Sequence, residues 1–178
     1  MRVIAGSRKG ARILAPPGLD TRPTGDRVRE AVFNLLGPVD GAEVLDLYAG
    51  SGAMGLEALS RGAARVTFVE SDRAAAETIL RNLDKLRLEH AIVLREDADR
   101  KLAADAAGGR RYDLVLVDPP YAMLARILPT LAAHLPAVLA AHGVAVVESG
   151  AREEPDLPLA KRTSRRYGSA RVTIFEAP

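Results

Sequence analysis

The stretch D-L-Y-A-G-S-G-A-M-G, residues 46–55, decides the fold. Its glycines spell G-x-G-x-x-G from Gly50, and an acid, Glu70, follows that glycine by twenty residues. Glycines permit a tight turn and let a ligand approach the backbone, while an acid at the end of the next strand can accept hydrogen bonds from ribose hydroxyls. The pattern therefore indicates a strand–turn–helix unit that binds a nucleoside-containing ligand. The alternative to ligand binding is a purely structural role, in which the glycines only allow a tight junction between strand and helix.

Strand and helix patterns alternate on the C-terminal side of this turn. Such alternation is typical of an α/β fold with a doubly wound, mainly parallel sheet and right-handed crossovers. We expect a helical stretch after the fourth strand to be interrupted by Pro129 and Pro136. The last two strands, joined at Gly168, are expected to add an antiparallel edge. The predicted strands are residues 43–49, 65–70, 91–96, 112–118, 143–149, 160–167 and 171–176.

The first forty residues differ from this pattern. Two short strands are predicted within residues 2–14, around a turn between Gly6 and Gly10. A helix is expected to follow Thr24, which can cap it, and to end at Gly37-Pro38. The sequence thus predicts a short β-hairpin and a helix ahead of the α/β core.

The tetrapeptide D-P-P-Y, residues 118–121, follows the most apolar predicted strand. Two prolines stiffen the loop and remove two backbone donors, so its carbonyls are left to accept hydrogen bonds. An exocyclic amine of a base offers two N–H donors, which Asp118 and the Pro119 carbonyl can accept, while Tyr121 provides a flat surface for the ring. An ordinary turn is the alternative. In the usual strand order, however, this loop and the glycine turn border the same crevice, at the topological switch point.

The acids around the glycine turn distinguish two classes of ligand. A dinucleotide places its pyrophosphate at the helix N-terminus, where a nearby anionic Asp46 is unfavourable. S-adenosylmethionine has no phosphate and carries sulfonium and ammonium cations, which suit Asp46. Asp97 can accept a hydrogen bond from an adenine amino group, although a helix N-cap is an equally good interpretation of that residue.

Composition and charge narrow the class of protein. The chain has 178 residues, 48% of them hydrophobic, a net charge of +2 and no cysteine, so we expect a cytoplasmic globular protein without a disulfide or thiolate metal site. No unbroken apolar run approaches the roughly 18 residues of a membrane span, and no signal-peptide pattern is expected. Seven basic and three acidic residues give residues 1–30 a charge of +4, and a second basic cluster occupies residues 161–166. These clusters indicate a polyanionic partner, with a solvated charged face as the alternative.

With these motifs in hand, the sequence resembles the class I methyltransferases, and closely the RsmD family of bacterial 16S rRNA (guanine-N2)-methyltransferases. The opening R-V-I-A-G-S-R-K-G is also similar to that family's N-terminal hairpin. The matching stretches are R-P-T-G-D-R-V-R-E-A-V-F-N-L-L (22–36), D-L-Y-A-G-S-G-A-M-G-L-E-A-L-S-R-G-A (46–63), F-V-E (68–70) and D-P-P-Y (118–121).

This resemblance implies a seven-stranded sheet, S-adenosylmethionine as methyl donor, no metal, and guanine N2 of small-subunit rRNA as acceptor. The partner would be the small ribosomal subunit or its assembly intermediate, and the enzyme a monomer. Residues 1–40 would form an RNA-binding extension of one methyltransferase domain, residues 1–178, whose catalytic core is 41–178. The donor-binding residues would be Asp46, Gly50, Gly52, Glu70 and Asp97. The base-binding and catalytic residues would be Asp118, Pro119 and Tyr121. The residues near RNA would be Arg8, Lys9, Arg22, Thr24, Arg27 and Arg29.

Three other functions remain open at this point. A nicotinamide oxidoreductase shares the glycine pattern but not the D-P-P-Y loop. An amino-methyltransferase acting on DNA adenine or on a protein amide would use the same site with a different acceptor. A non-catalytic RNA-binding module on a methyltransferase fold is disfavoured because all four acids, Asp46, Glu70, Asp97 and Asp118, are present.

Overall fold

The computed structural model describes residues 1–17 and 24–177, apart from the side chain of Thr24. Five helices and seven strands alternate along most of this part of the chain. The helices are α1 (Thr24–Leu36), α2 (Ala53–Ser60), α3 (Arg73–Leu86), α4 (Ala98–Ala107) and α5 (Leu124–Val138). The strands are β1 (Glu43–Leu47), β2 (Arg65–Val69), β3 (Ala91–Leu94), β4 (Tyr112–Val117), β5 (Leu139–Gly150), β6 (Ala160–Tyr167) and β7 (Ala170–Glu176).

The strands form one sheet in the order β3-β2-β1-β4-β5-β7-β6. Strands β1 to β5 are parallel, whereas β7 runs antiparallel to both β5 and β6. The chain direction across the sheet reverses between β1 and β4, which is the switch point of a doubly wound fold. The predicted α/β class, with a mainly parallel sheet and an antiparallel C-terminal hairpin, is confirmed.

Two apolar layers cover the two faces of the sheet. In one, Phe68 of β2 and Leu116 of β4 pack with Phe33 of α1 and Ile79 of α3. In the other, α4 and α5 pack side chains such as Leu131 onto the opposite face. Because both faces are covered, the central strands β1 and β4 are buried except at Glu43 and Asp113, near their amino ends.

The N-terminal segment, residues 1–17, pairs antiparallel over a shorter stretch than the predicted pair of strands, with the N–H groups of Val3, Gly10 and Ile13 donating to the carbonyls of Ala11, Val3 and Met1. A single antiparallel bridge joins Arg2 to Arg12, and a 3-10 turn, Gly6–Arg8, lies between them. Gly6 has a φ of +80°, and a Cβ there would lie 1.8 Å from the Ser60 carbonyl oxygen. The turn between the two paired stretches therefore packs directly against the end of α2.

Helix α5 also differs from prediction, because it runs without a break through Pro129 and Pro136. Both prolines are exposed on the outer face of the helix. The carbonyls that lose their helical partners there can bind water, which reduces the cost of each proline.

By length and composition, Tyr121–Val138 is apolar enough to cross a membrane, with a mean hydropathy of 1.2. Its inner side chains, however, pack onto the sheet, as those of a core helix do. They are Leu124, Ile127, Leu131, Leu135 and Val138.

Candidate active site at the carboxyl edge of the sheet

The glycine turn links β1 to α2. Strand β1 ends at Leu47, two residues before its predicted end, because Tyr48 has a φ of +57° and turns the chain. Gly52 precedes α2 with a φ of +77°, a conformation that side chains disfavour. A Cβ on Gly55 would lie 2.3 Å from the Phe68 ring, so this glycine lets α2 pack closely on β2. The G-x-G-x-x-G pattern therefore has a steric cause at its second and third glycines.

Asp46, on β1, lies beneath this turn and is 1% exposed. Its Oδ2 accepts a hydrogen bond of 2.9 Å from the Gly55 N–H, in the first turn of α2. The pKa of Asp46 is raised to about 8, mainly by burial and to a smaller extent by the negative charge of Glu70, while the Gly55 hydrogen bond acts in the opposite direction. The carboxyl group is thus poised to change its ionisation when a cation approaches.

Glu70 follows β2 and closes the turn from the other side. Its two oxygens accept hydrogen bonds of 2.8 Å from the N–H groups of Gly50 and Asp72. Within residues 1–17 and 24–177, no lysine or arginine forms an ion pair with Asp46 or Glu70. The crevice beside the turn therefore has one carboxylate, Glu70, without a basic partner among the described residues and a second carboxyl group, Asp46, that can ionise when a cation binds, and both favour a cationic ligand over a pyrophosphate.

Asp97 follows β3 at the same edge of the sheet. Its side chain accepts a hydrogen bond of 2.9 Å from the Arg100 N–H and caps α4, as the alternative interpretation of this residue predicted. The neighbouring Asp99 accepts a hydrogen bond from the Tyr48 hydroxyl. Burial raises the pKa of Tyr48, and its hydrogen bond to Asp99 raises it too, so the phenol remains protonated. Sequence analysis missed this contact between the turn after β1 and helix α4.

The D-P-P-Y loop follows β4. Asp118 is exposed at the end of the strand, and Pro119 is buried. The Tyr121 hydroxyl donates a hydrogen bond of 3.1 Å to Oε1 of Glu148, on β5. The loop is thus held against the next strand, with its carboxylate directed out of the core.

The glycine turn and the D-P-P-Y loop lie side by side. Strands β1 and β4 are direct neighbours, with Leu47 opposite Val117, and both sequence motifs begin at the carboxyl ends of these strands. Adjacent strands are about 4.8 Å apart, so the two loops border one crevice. The structure therefore places the glycine turn beside the D-P-P-Y loop, with Glu70 one strand away and Asp97 two strands away from the turn.

The predicted RNA-binding residues do not form a uniform group. Lys9 and Arg27 are exposed. Arg8 instead donates to the Leu86 and Arg87 carbonyls at the end of α3, the latter at 3.0 Å. Arg8 therefore holds the N-terminal segment onto α3, and we assign it a structural role. Arg22 and the side chain of Thr24 lie outside the described residues.

Arg29 corrects the prediction of an RNA contact. It is 3% exposed, donates to the Arg2 carbonyl, and contacts Asp26 at 2.9 Å and Glu57 at 3.6 Å. A guanidinium enclosed by these partners has no access to a phosphate, so its role is to join α1 to the N-terminal segment and α2.

Two buried polar residues that sequence analysis did not single out anchor the N-terminal segment. Glu57, fully buried in α2, accepts hydrogen bonds of 2.8 and 3.0 Å from the N–H groups of Ile4 and Ala5. Asn82 of α3 binds both the N–H and the carbonyl of Leu14, at 2.8 and 3.0 Å. A lone Glu in the apolar helix A-M-G-L-E-A-L-S was the available signal for the first.

Asn82 also connects this segment to the glycine turn. Its Nδ2 donates a hydrogen bond of 3.1 Å to the Ser51 carbonyl. One amide group thus binds the backbone of the N-terminal segment and of the turn that borders the candidate donor pocket.

Comparison with known proteins agrees with this architecture. The model of the family described as Conserved hypothetical protein 95 matches residues 1–176. Ribosomal RNA small subunit methyltransferase D of Escherichia coli K12 is 44% identical over 122 residues, which are 68% of this chain and 60% of that protein. The match therefore spans less than two thirds of the relative.

Two solved structures are similar over most of this chain. A hypothetical protein of Thermus thermophilus superposes with a TM-score of 0.85 at 31% identity, over 99% of both chains. The 16S rRNA guanine-N2 methyltransferase of the same species, solved with AdoMet and guanosine, superposes with a TM-score of 0.69 at 25% identity, over 91% of this chain and 45% of that one. The chain therefore belongs to the Conserved hypothetical protein 95 family, and the resemblance to RsmD that its motifs indicated is confirmed.

Proposed function

We propose that the protein transfers a methyl group from S-adenosylmethionine to the exocyclic N2 of a guanine in small-subunit rRNA. The observation that carries the proposal is the juxtaposition of two loops: an acid-lined glycine turn and the D-P-P-Y loop border one crevice at the switch point. The first suits a cationic nucleoside and the second an aromatic amine. The names of the E. coli relative and of the guanosine-bound structure support the same activity.

The residues around the turn fit the donor. In the described part of the chain neither Glu70 nor Asp46 has a basic partner, so Glu70 supplies negative charge and Asp46 supplies it on ionising, which suits the ammonium and sulfonium groups. Glu70 follows β2, where an acid can bind ribose hydroxyls. Gly50 and Gly52 allow close approach of the ligand to the backbone. Asp97 would bind the adenine of the donor while its side chain still caps α4. When bound, this cofactor supplies an electrophilic methyl group.

The D-P-P-Y loop would orient and activate the acceptor. Asp118 and the Pro119 carbonyl each accept one N–H of the guanine amine, and the Tyr121 ring supports the base. Holding both hydrogens draws the nitrogen toward tetrahedral geometry and directs its lone pair at the methyl carbon. The Asp118 carboxylate also stabilises the positive charge that develops on nitrogen as the N–C bond forms and the S–C bond breaks. Positioning and electrostatics, rather than a strong general base, account for the rate.

RNA would reach this crevice across the basic surfaces. A guanine in structured RNA must first leave its stack, and contacts to the flanking phosphates can stabilise that state. Lys9, Arg27, Arg165 and Arg166 are exposed. We propose that these cations contact the RNA of the small subunit or its assembly intermediate, in the cytoplasm, and that the enzyme acts as a monomer.

The direct test of the proposed activity uses 16S rRNA from cells with and without this protein. Mass spectrometry should detect one N2-methylguanosine that is lost with the protein and restored by the purified enzyme with labelled donor. Transfer of label to DNA or to a protein amide, and none to rRNA, would contradict the proposed acceptor.

The pKa of Asp46 predicts how donor binding depends on pH. The bound cation favours the ionised carboxylate of Asp46. When the donor binds to protein in which Asp46 is protonated, that proton must be released, and its release weakens the observed binding. Below the pKa of about 8, the apparent Kd should therefore fall by up to about tenfold for each unit rise in pH. Above that pH it should level off.

Calorimetry of donor binding from pH 6 to 9 checks this dependence. Asp46→Asn is the matched control, because the amide has the same size as the carboxyl group but does not titrate. Any pH dependence that comes from titration of the ligand itself remains in this variant. If log Kd changed with pH by the same slope in wild type and in the variant, Asp46 would be ruled out as the titrating group.

The exposed cations predict the salt dependence of RNA binding. Replacing both Lys9 and Arg27 with alanine should reduce the magnitude of the slope of log K against log salt by about 1.4, at roughly 0.7 for each phosphate that the variant no longer neutralises. Arg111→Ala is the control, because this exposed arginine contacts the Ala137 carbonyl at the end of α5, which packs on the face of the sheet opposite to the N-terminal segment and α1. Filter binding at four salt concentrations measures the slopes. Equal slopes for the double variant and wild type would exclude these residues from the RNA-binding surface.

A further inference from the structure

Glu148 lies beside the D-P-P-Y loop at the carboxyl edge. In the register of β4 and β5, Val117 is opposite Val147, so Asp118 and Glu148 are the next residues of the two neighbouring strands. Leu116 pairs with both Asp46 and Val146. Because side chains alternate along a strand, Glu148 leaves the sheet on the same face as Val146 and therefore as Asp46.

The carboxylate of Glu148 is fixed by the same tyrosine that is proposed to support the base. The Tyr121 hydroxyl donates to its Oε1 at 3.1 Å. The tyrosine ring also lies over the end of β5, since a Cβ on Gly150 would be 3.9 Å from Tyr121 Cδ2. Glu148 is partly exposed at this position. A half-buried carboxylate of defined orientation thus stands next to the acceptors assigned to the guanine amine.

We propose that Glu148 determines the base specificity of the site by accepting a hydrogen bond from guanine N1–H. This inference rests on the proposed function. Guanine presents N1–H beside its N2 amine, so a carboxylate next to Asp118 and Pro119 accepts the third donor of the same edge. Adenine and 2,6-diaminopurine present a lone pair at N1, which an ionised carboxylate repels. Glu148 is therefore a specificity residue, and the Tyr121 hydroxyl is the group that positions it.

Replacing one carboxylate oxygen of Glu148 with an amide nitrogen should change the base preference of the enzyme. The probe is a pair of RNA substrates with guanosine or 2,6-diaminopurine ribonucleoside at the target, since both carry the 2-amino group. Wild-type enzyme should prefer guanosine by about 10- to 100-fold in kcat/KM, the discrimination of one good base contact. Glu148→Gln can donate to the N1 lone pair through its amide, so this ratio should fall to about one or reverse.

Three further variants separate specificity from folding. Glu148→Ala should lose activity on guanosine without gaining any on diaminopurine. Tyr121→Phe retains the ring but not the hydroxyl, and should lower the preference for guanosine less than Glu148→Gln does. Glu154→Gln removes a charge from an exposed pair with Lys161 and should leave the ratio unchanged. Donor affinity, measured by calorimetry, should be the same in wild type and Glu148→Gln.

The outcomes distinguish the two proposals. If wild type methylates guanosine RNA and Glu148→Gln keeps the wild-type ratio, the role of Glu148 is wrong and the proposed function stands. If wild type methylates neither RNA nor the small subunit, the proposed function itself fails. A changed donor affinity in Glu148→Gln would place this residue in the donor pocket and overturn the inference.

Discussion

Asp118→Ala is expected to lower methyl transfer to RNA by about 10²- to 10³-fold, the loss typical of one group that stabilises developing charge. The reason is its position: Asp118 follows β4, directly beside the turn after β1. Donor affinity should change by no more than about threefold, because binding to the turn depends on Asp46 and Glu70. Single-turnover transfer of labelled methyl gives the first quantity and calorimetry the second.

Asp118→Asn is the matched variant for this experiment. The amide retains one oxygen that can accept from the guanine amine but has no charge, so the loss of rate should be smaller than in the alanine variant. Equal losses of rate in the two variants would show that the charge of Asp118, rather than its hydrogen bonding, accounts for its effect on methyl transfer. Loss of donor binding in either variant would contradict the assignment of Asp118 to the base.

Glu57→Ala is expected to lower the free energy of unfolding by about 3–5 kcal/mol, the cost of removing one partner from a buried ion pair. Glu57 is fully buried and contacts Arg61 at 2.7 Å and Arg29 at 3.6 Å. Its loss leaves a buried arginine with a missing partner and two backbone N–H groups without an acceptor. Urea denaturation followed by circular dichroism measures the effect.

Glu77→Ala provides the control for Glu57. Glu77 pairs with Arg73 at 2.8 Å within α3, but both side chains are largely exposed. Because solvent and salt screen this exposed pair, its loss should change the free energy of unfolding little. Hydrogen exchange adds a local measurement, because the amides of Ile4 and Ala5 should exchange faster in Glu57→Ala only. Similar unfolding free energies for the two variants would mean that the Glu57 network does not hold the N-terminal segment.

The sheet could be predicted from sequence because its strands are short apolar runs separated by helices and turns. The glycine turn was equally clear, since a steric requirement at Gly55 leaves a direct signal in the residue type. The D-P-P-Y loop could be located because its motif follows a buried strand. The usual strand order then predicted that the two loops lie side by side, and the register of β1 and β4 confirms that these strands are neighbours.

Sequence patterns were less informative where tertiary contacts override local propensity. The N-terminal segment has the pattern of two strands around a turn, and it does turn between Gly6 and Gly10, but its pairing is reduced to a single bridge and the turn packs against Ser60. Pro129 and Pro136 suggested breaks, although packing of the inner face of α5 onto the sheet maintains the helix. In both cases the deciding contact involves residues distant along the chain.

Charge alone does not separate arginines that hold the fold together from arginines that can contact RNA. Arg8 and Arg29 belong to the positively charged N-terminal region, but their partners are carbonyls and carboxylates of α1, α2, α3 and the N-terminal segment itself. An arginine that binds a helix end and one that binds a phosphate have the same signature in sequence. Their exposure in the folded protein separates them, and Lys9 and Arg27 remain as predicted RNA contacts.

The attachment of residues 3–14 limits how this protein can be re-engineered. Exchanging that segment for an unrelated RNA-targeting module would leave Glu57 and Asn82 without their backbone ligands. It would also uncover the apolar surface against which Val3 and Ile13 pack. A chimera built on the remaining α/β unit would therefore aggregate or unfold unless the graft supplied equivalent partners. Retargeting to another nucleic acid is better attempted by altering side chains that project from an intact segment.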